Sequence, residues 1–380
     1  GRPTLIISTS GTAAANLFPG IIEANLSQVP LIILTADRPS GLIGTGANQT
    51  IQQRDLYGYQ IRSFQDIGLP TEKHTSMIGM FKRAFNIAMG FNHSGKRVSP
   101  PGPVHLNIPF DEPLFTKEDL TYRINKNVRK NRPEIKLQYP KNPVDNLGEI
   151  FSFLNNYSQP LIICGRMEPN ELRDEIINLA ESIDAPIFAD PVSQLRYGVK
   201  NPNIITSYNH FLQSNELQPD LVIRFGGKPT SKKLCNLMDE WKNHTLLIAP
   251  VGRFNDDCPN ILDGEPRFII NNLIDCIGHN KNNMWIEHIH QLEKQSQGIL
   301  DAELIKSTFF GGNIARCCID SLQSGDVLFA GNSLPIRELD SYTFSSDKAL
   351  HVYANRGASG IDGVVSTALG ISYSTHHSPL

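Results

Sequence analysis

Short runs of consecutive apolar residues recur along the chain, and longer stretches of mixed polar and apolar residues separate them. Clear examples are Leu5–Ile7, Leu31–Leu34, Pro160–Cys164, Leu221–Phe225 and Thr245–Ala249. Continuous apolar runs of this length are typical of strands that are buried on both faces of a parallel sheet. The stretches between them are long enough for crossover helices. The pattern therefore predicts an α/β protein, with parallel sheets flanked by helices.

Helices are predicted between these strands, and one charged segment interrupts the alternation. The further predicted strands are Pro103–Ile108, Pro186–Ala189, Val327–Ala330 and Leu350–Ala354, and the predicted helices are Thr12–Ala24, Glu171–Ile183, Lys232–Trp241 and Trp285–Gln297. Residues 116–146 are charged, contain prolines and lack apolar periodicity, as is typical of an interdomain linker. We predict α/β units over residues 1–120, 146–280 and 301–380, with a linker over residues 121–145.

The composition is that of a globular protein with more than one domain. The chain has 380 residues, of which 40% are hydrophobic and 19% charged. Its net charge of −3 gives no electrostatic attraction to nucleic acid or to an anionic membrane, so we predict neither as a partner. We also predict no membrane span, because the uncharged segment from Pro3 to Ile22 is interrupted by Asn16, Pro19 and Gly20.

The cysteines and the ends of the chain carry two further expectations. The six cysteines, at positions 164, 235, 258, 276, 317 and 318, show neither a C-x-x-C pair nor a Cys/His zinc spacing. We interpret them as buried free thiols and predict a cytoplasmic protein. The chain begins at Gly1 and stops shortly after the predicted helix Val364–Tyr373, where an α/β unit should continue into another strand. We therefore expect an internal piece of a longer protein.

Two predicted strands near the end of the chain each lead into a loop with unusual composition. The first loop is Gly331–Arg337 and the second is Ala354–Gly363; each is rich in glycine or small polar residues and carries one arginine. Ligands of open α/β sheets bind at such carboxyl-end loops, where glycine lets the backbone approach a ligand closely and successive N–H groups can line an anion site. The two loops predict a binding site for a group of concentrated negative charge.

Five motifs occur together and in one order along the chain. They are Thr9–Ala14, Thr35–Pro39, Gly46–Ile51, the loop around Asn332 and Ser333, and the loop around Arg356. With this combination the sequence resembles, over essentially its whole length, the 2-succinyl-5-enolpyruvyl-6-hydroxy-3-cyclohexene-1-carboxylate synthases. These are thiamine-diphosphate enzymes of menaquinone and phylloquinone synthesis. The resemblance implies a pyrimidine-binding, a central and a diphosphate-binding domain in the three predicted units, with the first and the last truncated.

The resemblance also implies the reaction and its partners. The expected substrates are 2-oxoglutarate, which is decarboxylated, and isochorismate, to which the remaining succinyl-semialdehyde unit is added. The expected cofactors are thiamine diphosphate and Mg²⁺, and the expected assembly is a homodimer or homotetramer with active sites shared between chains. Both substrates are dianions, so the site needs several fixed cations, and arginine suits this because its planar fork grips a carboxylate through two hydrogen bonds.

By the same resemblance, substrate-contacting roles fall on seven residues: Arg38, Asn48, Gln49, Lys232, Ser333, Arg337 and Arg356. Structural alternatives accompany several of these roles. Arg38 could form a loop pair with Asp37, and Asn48 and Gln49 could cap a helix that Thr50 opens. Arg337 could be a solvated charge paired with Glu338 or Asp340, and Lys232 could be an exposed lysine at a helix start.

The resemblance assigns cofactor contacts to Asn332, Ser333, Ser359 and Ile361. An isoleucine between a glycine and an aspartate would ordinarily fill space, but thiamine enzymes need a large apolar side chain under the cofactor to bring its reacting groups together. Ser359 would offer its backbone carbonyl to the cofactor. The activating glutamate and the magnesium ligands of the family are expected outside this chain, so we predict no metal ligand within it.

Two other interpretations remain. Another thiamine-dependent carboligase or decarboxylase, of the acetohydroxyacid synthase type, would act on smaller monoanions and would not require Arg38, Arg337 and Arg356 together. A non-catalytic nucleotide-binding protein is the second, because Gly226–Lys232 superficially suggests a phosphate loop. That segment lacks the G-x-x-x-x-G-K-[ST] spacing, so it favours the nucleotide-binding interpretation only weakly.

Overall fold

The computed structural model of the chain describes residues 2–69, 75–112, 114, 157–169, 172–213, 217–249, 255–276, 283–306 and 308–375. The chain divides into two compact units, Gly1–Tyr139 and Pro140–Leu380. Both contain parallel strands and helices, which confirms the predicted α/β class. The predicted linker over residues 121–145 lies outside the described residues, and the division of the second unit into two domains stays a prediction.

The first unit contains a four-stranded parallel sheet in the order β1-β2-β4-β3. Its strands are β1 (Thr4–Ser8), β2 (Leu31–Asp37), β3 (Ser63–Asp66) and β4 (Pro103–Pro109), and its helices are α1 (Thr12–Ala15), α2 (Phe18–Leu26) and α3 (Thr75–Ala88). Ile21 of α2 packs with Ile33 on one face of the sheet, and Ala84 of α3 packs with Leu106 on the other. The mostly apolar sequences of β2 and β4 reflect this burial on both faces.

Two local predictions for this unit are wrong. The predicted helix Thr12–Ala24 forms two helices, because Pro19 lies in the first turn of α2, where its missing N–H is tolerated, and would have broken a longer helix. No helix begins at Thr50; the segment runs without regular structure to the short 3₁₀ helix Gly58–Gln60. Hydrogen bonds to the loop after β1 hold this segment instead, so Asn48 and Gln49 are not helix caps.

The second unit contains a six-stranded parallel sheet in the order β10-β9-β8-β5-β6-β7. Its strands are β5 (Pro160–Cys164), β6 (Ile187–Ala189), β7 (Ile204–Ile205), β8 (Leu221–Phe225), β9 (Thr245–Ala249) and β10 (Asn260–Asp263), and the helices around it are α4 (Arg173–Ser182), α5 (Tyr208–Phe211), α6 (Lys232–Glu240), α7 (Pro266–Cys276) and α8 (Asn283–Lys306). Ile176 of α4 and Ile270 of α7 pack in the core on one face, and Leu234 of α6 and Trp285 of α8 pack in the core on the other. The strands predicted at 160–164, 221–225 and 245–249 have the observed bounds.

A further parallel pair of strands belongs to the same unit. It consists of β11 (Val327–Phe329) and β12 (His351–Tyr353), with helices α9 (Gly311–Ser321), α10 (Leu334–Tyr342) and α11 (Val364–Thr375). Ile336 and Leu339 of α10 pack in one core with Val192 and Tyr197, which follow β6. The β11–β12 region is therefore joined to the six-stranded part by a shared apolar core.

The prediction about cysteines holds only in part. The five cysteines whose side chains are described form no disulfide, and Cys164 and Cys258 are buried as expected. Cys317 and Cys318, on α9, are exposed, whereas Ala315 and Ile319 of the same helix are buried. Within the described residues, none of the helices combines the length and the apolar character needed to cross a bilayer.

Candidate functional site

The two glycine-bearing loops meet at the carboxyl ends of β11 and β12. Because these strands pair in parallel, the loops that follow them leave the same edge of the sheet. Asn332, which is buried, connects them: its Nδ2 donates to the carbonyl oxygen of Gly360 at 2.6 Å, and its Oδ1 accepts from Nη1 of Arg356 at 3.3 Å. Asn332 therefore holds the two loops together.

Ser333 and Arg337 form the exposed beginning of α10. Ser333 has a left-handed backbone with φ of 74°, an uncommon conformation for a residue other than glycine. Arg337 donates from Nε to the carbonyl oxygen of Ser333 at 2.8 Å and from Nη2 to its Oγ at 3.3 Å. Within the described residues Arg337 forms no ion pair, so the alternative pairing with Glu338 or Asp340 is wrong. The guanidinium is oriented by Ser333 but remains accessible to a ligand.

Ile361 and Ser359 lie on the second loop. The side chain of Ile361 is 76% exposed, although isoleucine is among the residues most often buried. Ser359 has a left-handed backbone with φ of 54°. A large exposed apolar side chain in a strand-end loop can pack against the rings of a bound cofactor, so the residues present are compatible with thiamine diphosphate.

The predicted site residues of the first unit surround the loops after β1 and β2. Gln49, which has a φ of 59°, donates from Nε2 to Thr9 Oγ1 at 2.9 Å and to the carbonyl oxygen of Ser10 at 3.2 Å. Ser10 Oγ returns a hydrogen bond to the carbonyl oxygen of Gln49 at 3.0 Å. Asn48 is exposed, whereas the amide group of Gln49 is already engaged within the protein, so its assigned substrate contact would use Oε1.

Arg38 follows β2 and is half-buried. Its backbone N–H, rather than its guanidinium, donates to Oδ1 of Asp37 at 2.8 Å. The other carboxylate oxygen of Asp37 accepts from Nδ2 of Asn107 at 2.8 Å. Among the described residues the guanidinium of Arg38 has no ion-pair partner, so the alternative in which it pairs with Asp37 is wrong and the cation stays available.

A buried polar network beneath these loops was not predicted. Gln53, which is fully buried, accepts from the backbone N–H of Gly11 at 2.7 Å and donates to the carbonyl oxygen of Ala36 at 3.0 Å and to Asn107 Oδ1 at 2.9 Å. Thr35 donates from Oγ1 to the same Asn107 oxygen at 2.8 Å. The network fixes the ends of β1, β2 and β4 relative to one another, and with them the loops that carry Thr9, Arg38 and Gln49.

His105 closes this network on β4. Its Nε2 lies 2.7 Å from Thr35 Oγ1, and because that hydroxyl donates to Asn107, it accepts from the histidine Nε2–H. Nδ1 is then unprotonated, and it is buried without a hydrogen-bond partner among the described residues. Burial lowers the pKa of His105 from 6.5 to about 4, although the nearby carboxylate of Asp66 acts in the opposite direction. His105 is therefore neutral at pH 7, and its role is to stabilise the buried network.

Lys232 is the first residue of α6 and is exposed. Ser231 caps the helix, since its Oγ accepts from the backbone N–H of Leu234 at 3.1 Å. The residue before the cap, Thr230, donates its backbone N–H to Oδ2 of the buried Asp190 at 2.5 Å. The structure thus fixes the backbone at Lys232 while leaving its ammonium group without a protein partner in the described part of the chain.

The segment Gly226–Lys232, which superficially suggests a phosphate loop, has a different structural explanation. Gly226 adopts a φ of 71°, and a Cβ atom at Gly165 would collide with the carbonyl oxygen of Gly227. Gly227 donates its N–H to the carbonyl oxygen of Arg166 at 3.1 Å. These glycines allow two backbone segments to approach each other closely, which makes a nucleotide-binding interpretation unnecessary.

No group of three His, Cys, Asp or Glu residues could hold a metal ion among the residues that the structure describes.

Most members of the buried network, although not predicted, carry a signal in the sequence. Thr35, His105 and Asn107 are polar residues inside otherwise apolar strands, and buried polar groups need partners. Gln53 carries no such signal, because it lies outside any strand or helix.

Comparison with known proteins gives two findings. Residues 1–56 match the family model described as thiamine pyrophosphate enzyme, N-terminal TPP binding domain. Over 98% of its length the chain is similar to 2-succinyl-5-enolpyruvyl-6-hydroxy-3-cyclohexene-1-carboxylate synthases, with 35% identity to that of Geobacillus kaustophilus (strain HTA426). The identity is 36% with the synthases of Bacillus velezensis (strain DSM 23117 / BGSC 10A6 / LMG 26770 / FZB42) and Listeria monocytogenes serovar 1/2a (strain ATCC BAA-679 / EGD-e), each over 98% of the chain. The chain spans 65% of the length of each of these three relatives.

Proposed function

Since this chain is a homologue of the 2-succinyl-5-enolpyruvyl-6-hydroxy-3-cyclohexene-1-carboxylate synthases, we propose that the whole protein catalyses their reaction in menaquinone or phylloquinone biosynthesis. It decarboxylates 2-oxoglutarate and adds the remaining four-carbon unit to isochorismate. The structural observation that carries the proposal is the meeting of the Asn332–Arg337 and Arg356–Ile361 segments at one sheet edge; together these segments carry two arginines and an exposed isoleucine.

Thiamine diphosphate, when bound, supplies the carbon nucleophile and the electron sink for the decarboxylation. The chain itself supplies orientation and charge. Ile361 offers the apolar surface for the cofactor, and Ser359 offers a backbone carbonyl. Asn332 keeps the loop of Ile361 attached to the loop of Ser333, because it bonds to Gly360 and Arg356 at once. The proposed cofactors include Mg²⁺, and none of the residues named in this subsection is one of its ligands.

The substrate carboxylates are bound by cations from several elements. Arg337, held at its guanidinium by Ser333, and Arg356, held by Asn332, are oriented before a substrate arrives. Such preorganisation reduces the entropy lost on binding. Arg38 and Lys232, whose charged groups have no partner among the described residues, add two further cations. Asn48 and Gln49 donate or accept hydrogen bonds with the acceptor substrate.

The proposed assembly is a homodimer or homotetramer in the cytoplasm, with each active site shared between two chains. The support is that the assigned residues are distributed over both compact units, with Arg38, Asn48 and Gln49 in the first and the others in the second. Light scattering of the complete protein tests the assembly. A monomeric and fully active enzyme would exclude a shared site.

The reaction itself is tested with the complete purified protein, thiamine diphosphate and Mg²⁺. We expect carbon dioxide release from 2-oxoglutarate and consumption of isochorismate in equal amounts, both abolished when the cofactor is omitted. Pyruvate is the discriminating substrate: efficient turnover of pyruvate, with none of 2-oxoglutarate, would assign the protein to the acetohydroxyacid synthase type instead.

A further inference from the structure

Arg196 is a fully buried charge in the described part of the second unit, and it contacts α10, the helix that carries Arg337. Its side chain is 0% exposed and faces the carboxylate of Asp340, which is 1% exposed, at 2.5 Å. Arg196 follows β6, whereas Asp340 belongs to α10, the helix that begins at Ser333 and carries Arg337. The pair therefore joins the central sheet to the helix of the substrate arginine.

The guanidinium of Arg196 is saturated by acceptors from both sides. Nε donates to the carbonyl oxygen of Ala189 at the end of β6, at 2.6 Å. Nη1 donates to the carbonyl oxygens of Leu339, Asp340 and Thr343, at 3.1, 3.1 and 3.2 Å. The carbonyl groups at the carboxyl end of a helix carry partial negative charge, so a buried cation there is stabilising. Arg196 is thus the anchor of the carboxyl end of α10.

Asp340 has further donors that prevent α10 from turning about its axis. Tyr208 donates from its hydroxyl to Oδ1 at 2.7 Å, and Asn209 donates from Nδ2 to Oδ2 at 2.5 Å. Residues three apart on a helix are surface neighbours, so the direction of Asp340 determines the direction of Arg337. Any rotation of α10 that moved Arg337 would break the bonds at Asp340.

Asp190, which follows Ala189 in the sequence, fixes the backbone just before α6, the helix that begins with Lys232. Asp190 accepts from the backbone N–H of Thr230 through Oδ2 and, at 2.9 Å, from that of Val192 through Oδ1. Thr230 immediately precedes the Ser231 cap of α6, where Lys232 begins the helix. Two adjacent residues at the end of β6 are therefore linked to the two cationic helices. Asp190 binds the backbone just before α6, and the carbonyl of Ala189 binds Arg196, which anchors the carboxyl end of α10.

We propose that Arg196 is a positioning residue, which holds Ser333 and Arg337 in a fixed place relative to Lys232 so that these groups bind one dianionic substrate. This rests on the proposed function, because it takes Arg337 and Lys232 as substrate contacts. Lysine cannot replace arginine in this role. A single ammonium group lacks the planar fork that reaches the carbonyl oxygen of Ala189, the carbonyls of α10 and the carboxylate of Asp340 together.

The test uses the complete enzyme with Arg196→Lys and, as a matched control, Arg224→Lys. Arg224 is also a buried arginine of the central sheet, bound through two hydrogen bonds, of 2.7 and 3.1 Å, to Asp256, but its described bonds do not reach α10. Both variants should lower the melting temperature. We expect Arg196→Lys to lower kcat/KM for 2-oxoglutarate by at least about tenfold per folded molecule, and Arg224→Lys to stay within about threefold of wild type. Equal values for the two variants would overturn the proposal.

A double mutant shows whether Arg196 acts through Arg337. If it does, Arg196→Lys combined with Arg337→Ala is no more impaired than Arg337→Ala alone, within about threefold. If the double mutant instead loses kcat/KM by the product of the two single-mutant factors, the proposal is overturned. If Arg196→Lys does not fold, Asp340→Asn replaces it, because the amide keeps the volume and an acceptor oxygen while removing the charge.

Amide hydrogen exchange separates failure of this proposal from failure of the proposed function. Faster exchange over residues 334–340 in Arg196→Lys, but not in Arg224→Lys, supports the anchoring even if the wild-type enzyme turns over neither substrate. Wild-type exchange in that segment overturns the anchoring. If the enzyme is active but Arg337→Ala retains wild-type kcat/KM, the substrate role of Arg337 is wrong and the positioning proposal falls with it.

Discussion

Replacing His105 by glutamine should remove a specific part of the acid sensitivity of the protein. The imidazole is fully buried, its ring centroid lies 4.8 Å from that of Tyr57 and 5.1 Å from that of Phe64, and its Nδ1 has no partner among the described residues. Protonation would place a positive charge on that nitrogen with no acceptor nearby. A glutamine can retain a hydrogen bond to Thr35 but does not titrate.

The magnitude follows from the two pKa values of His105. In the unfolded chain the pKa is near 6.5, and in the folded protein burial lowers it to about 4. Between these values the unfolded state binds more protons, so the free energy of unfolding falls as the pH falls. Between about pH 7.5 and about pH 4.5 the loss from this residue is about 2.5 kcal/mol, and it approaches about 3.4 kcal/mol below the folded-state pKa.

The assay is urea unfolding of the complete wild-type protein and of His105→Gln at several pH values in that range. Other groups titrate in both proteins, so the difference between the two curves isolates His105. We expect the stability advantage of wild type over the variant to shrink by about 2.5 kcal/mol on acidification. A difference that stays constant within about 0.5 kcal/mol would show that His105 titrates normally and that the described burial is wrong.

Three further predictions concern the sites. Arg337→Ala and Arg356→Ala should each lower kcat/KM for 2-oxoglutarate by about tenfold to a hundredfold in steady-state kinetics. Their affinity for thiamine diphosphate, measured by fluorescence titration, should be unchanged. A wild-type kcat/KM in both variants would refute the assignment. Ile361→Ala should lower kcat but change the unfolding free energy of the cofactor-free protein by less than about 0.5 kcal/mol, because the side chain is 76% exposed. If Ile361→Ala instead turns over substrate normally but melts at a lower temperature than wild type, Ile361 has a packing role. Gln53→Leu should cost at least about 2 kcal/mol in urea unfolding, since it leaves buried partners unpaired, whereas exposed Gln52→Leu should be nearly neutral; equal effects would contradict the network.

The fold was largely predictable because most of its buried strands are runs of mainly apolar residues. Leu221–Phe225 and Thr245–Ala249 were located with their observed bounds, since strands buried on both faces need apolar residues at nearly every position. The helix Thr12–Ala24 was predicted too long, because Pro19 marks the start of a second helix rather than a position inside the first. Chain segments without periodicity, such as 48–53, gave no basis for prediction.

The candidate site was predictable where its residues follow strands in sequence. The Asn332 and Arg356 loops were predicted as ligand-binding segments because each follows a strand, and the structure adds the bond from Arg356 to Asn332 that connects them. The partners of Arg196 could not be predicted in the same way. A local pattern cannot reveal which distant carboxylate a buried arginine meets, and Arg196 on its own reads as a surface residue.

The Arg196–Asp340 pair has a consequence for biosynthesis. Its members are separated by 144 residues, so at roughly 5–20 residues per second the ribosome adds Asp340 to the nascent chain roughly 7–29 s after Arg196. At the start of that interval the nascent chain has only β5 and β6 of the central sheet, the other four strands are added during it, and the carboxylate and the helix carbonyls that Arg196 requires come last. Burying the guanidinium without them is costly, so the segment after β6 stays hydrated on the ribosome. The central sheet therefore becomes native on that side only after α10 has left the exit tunnel.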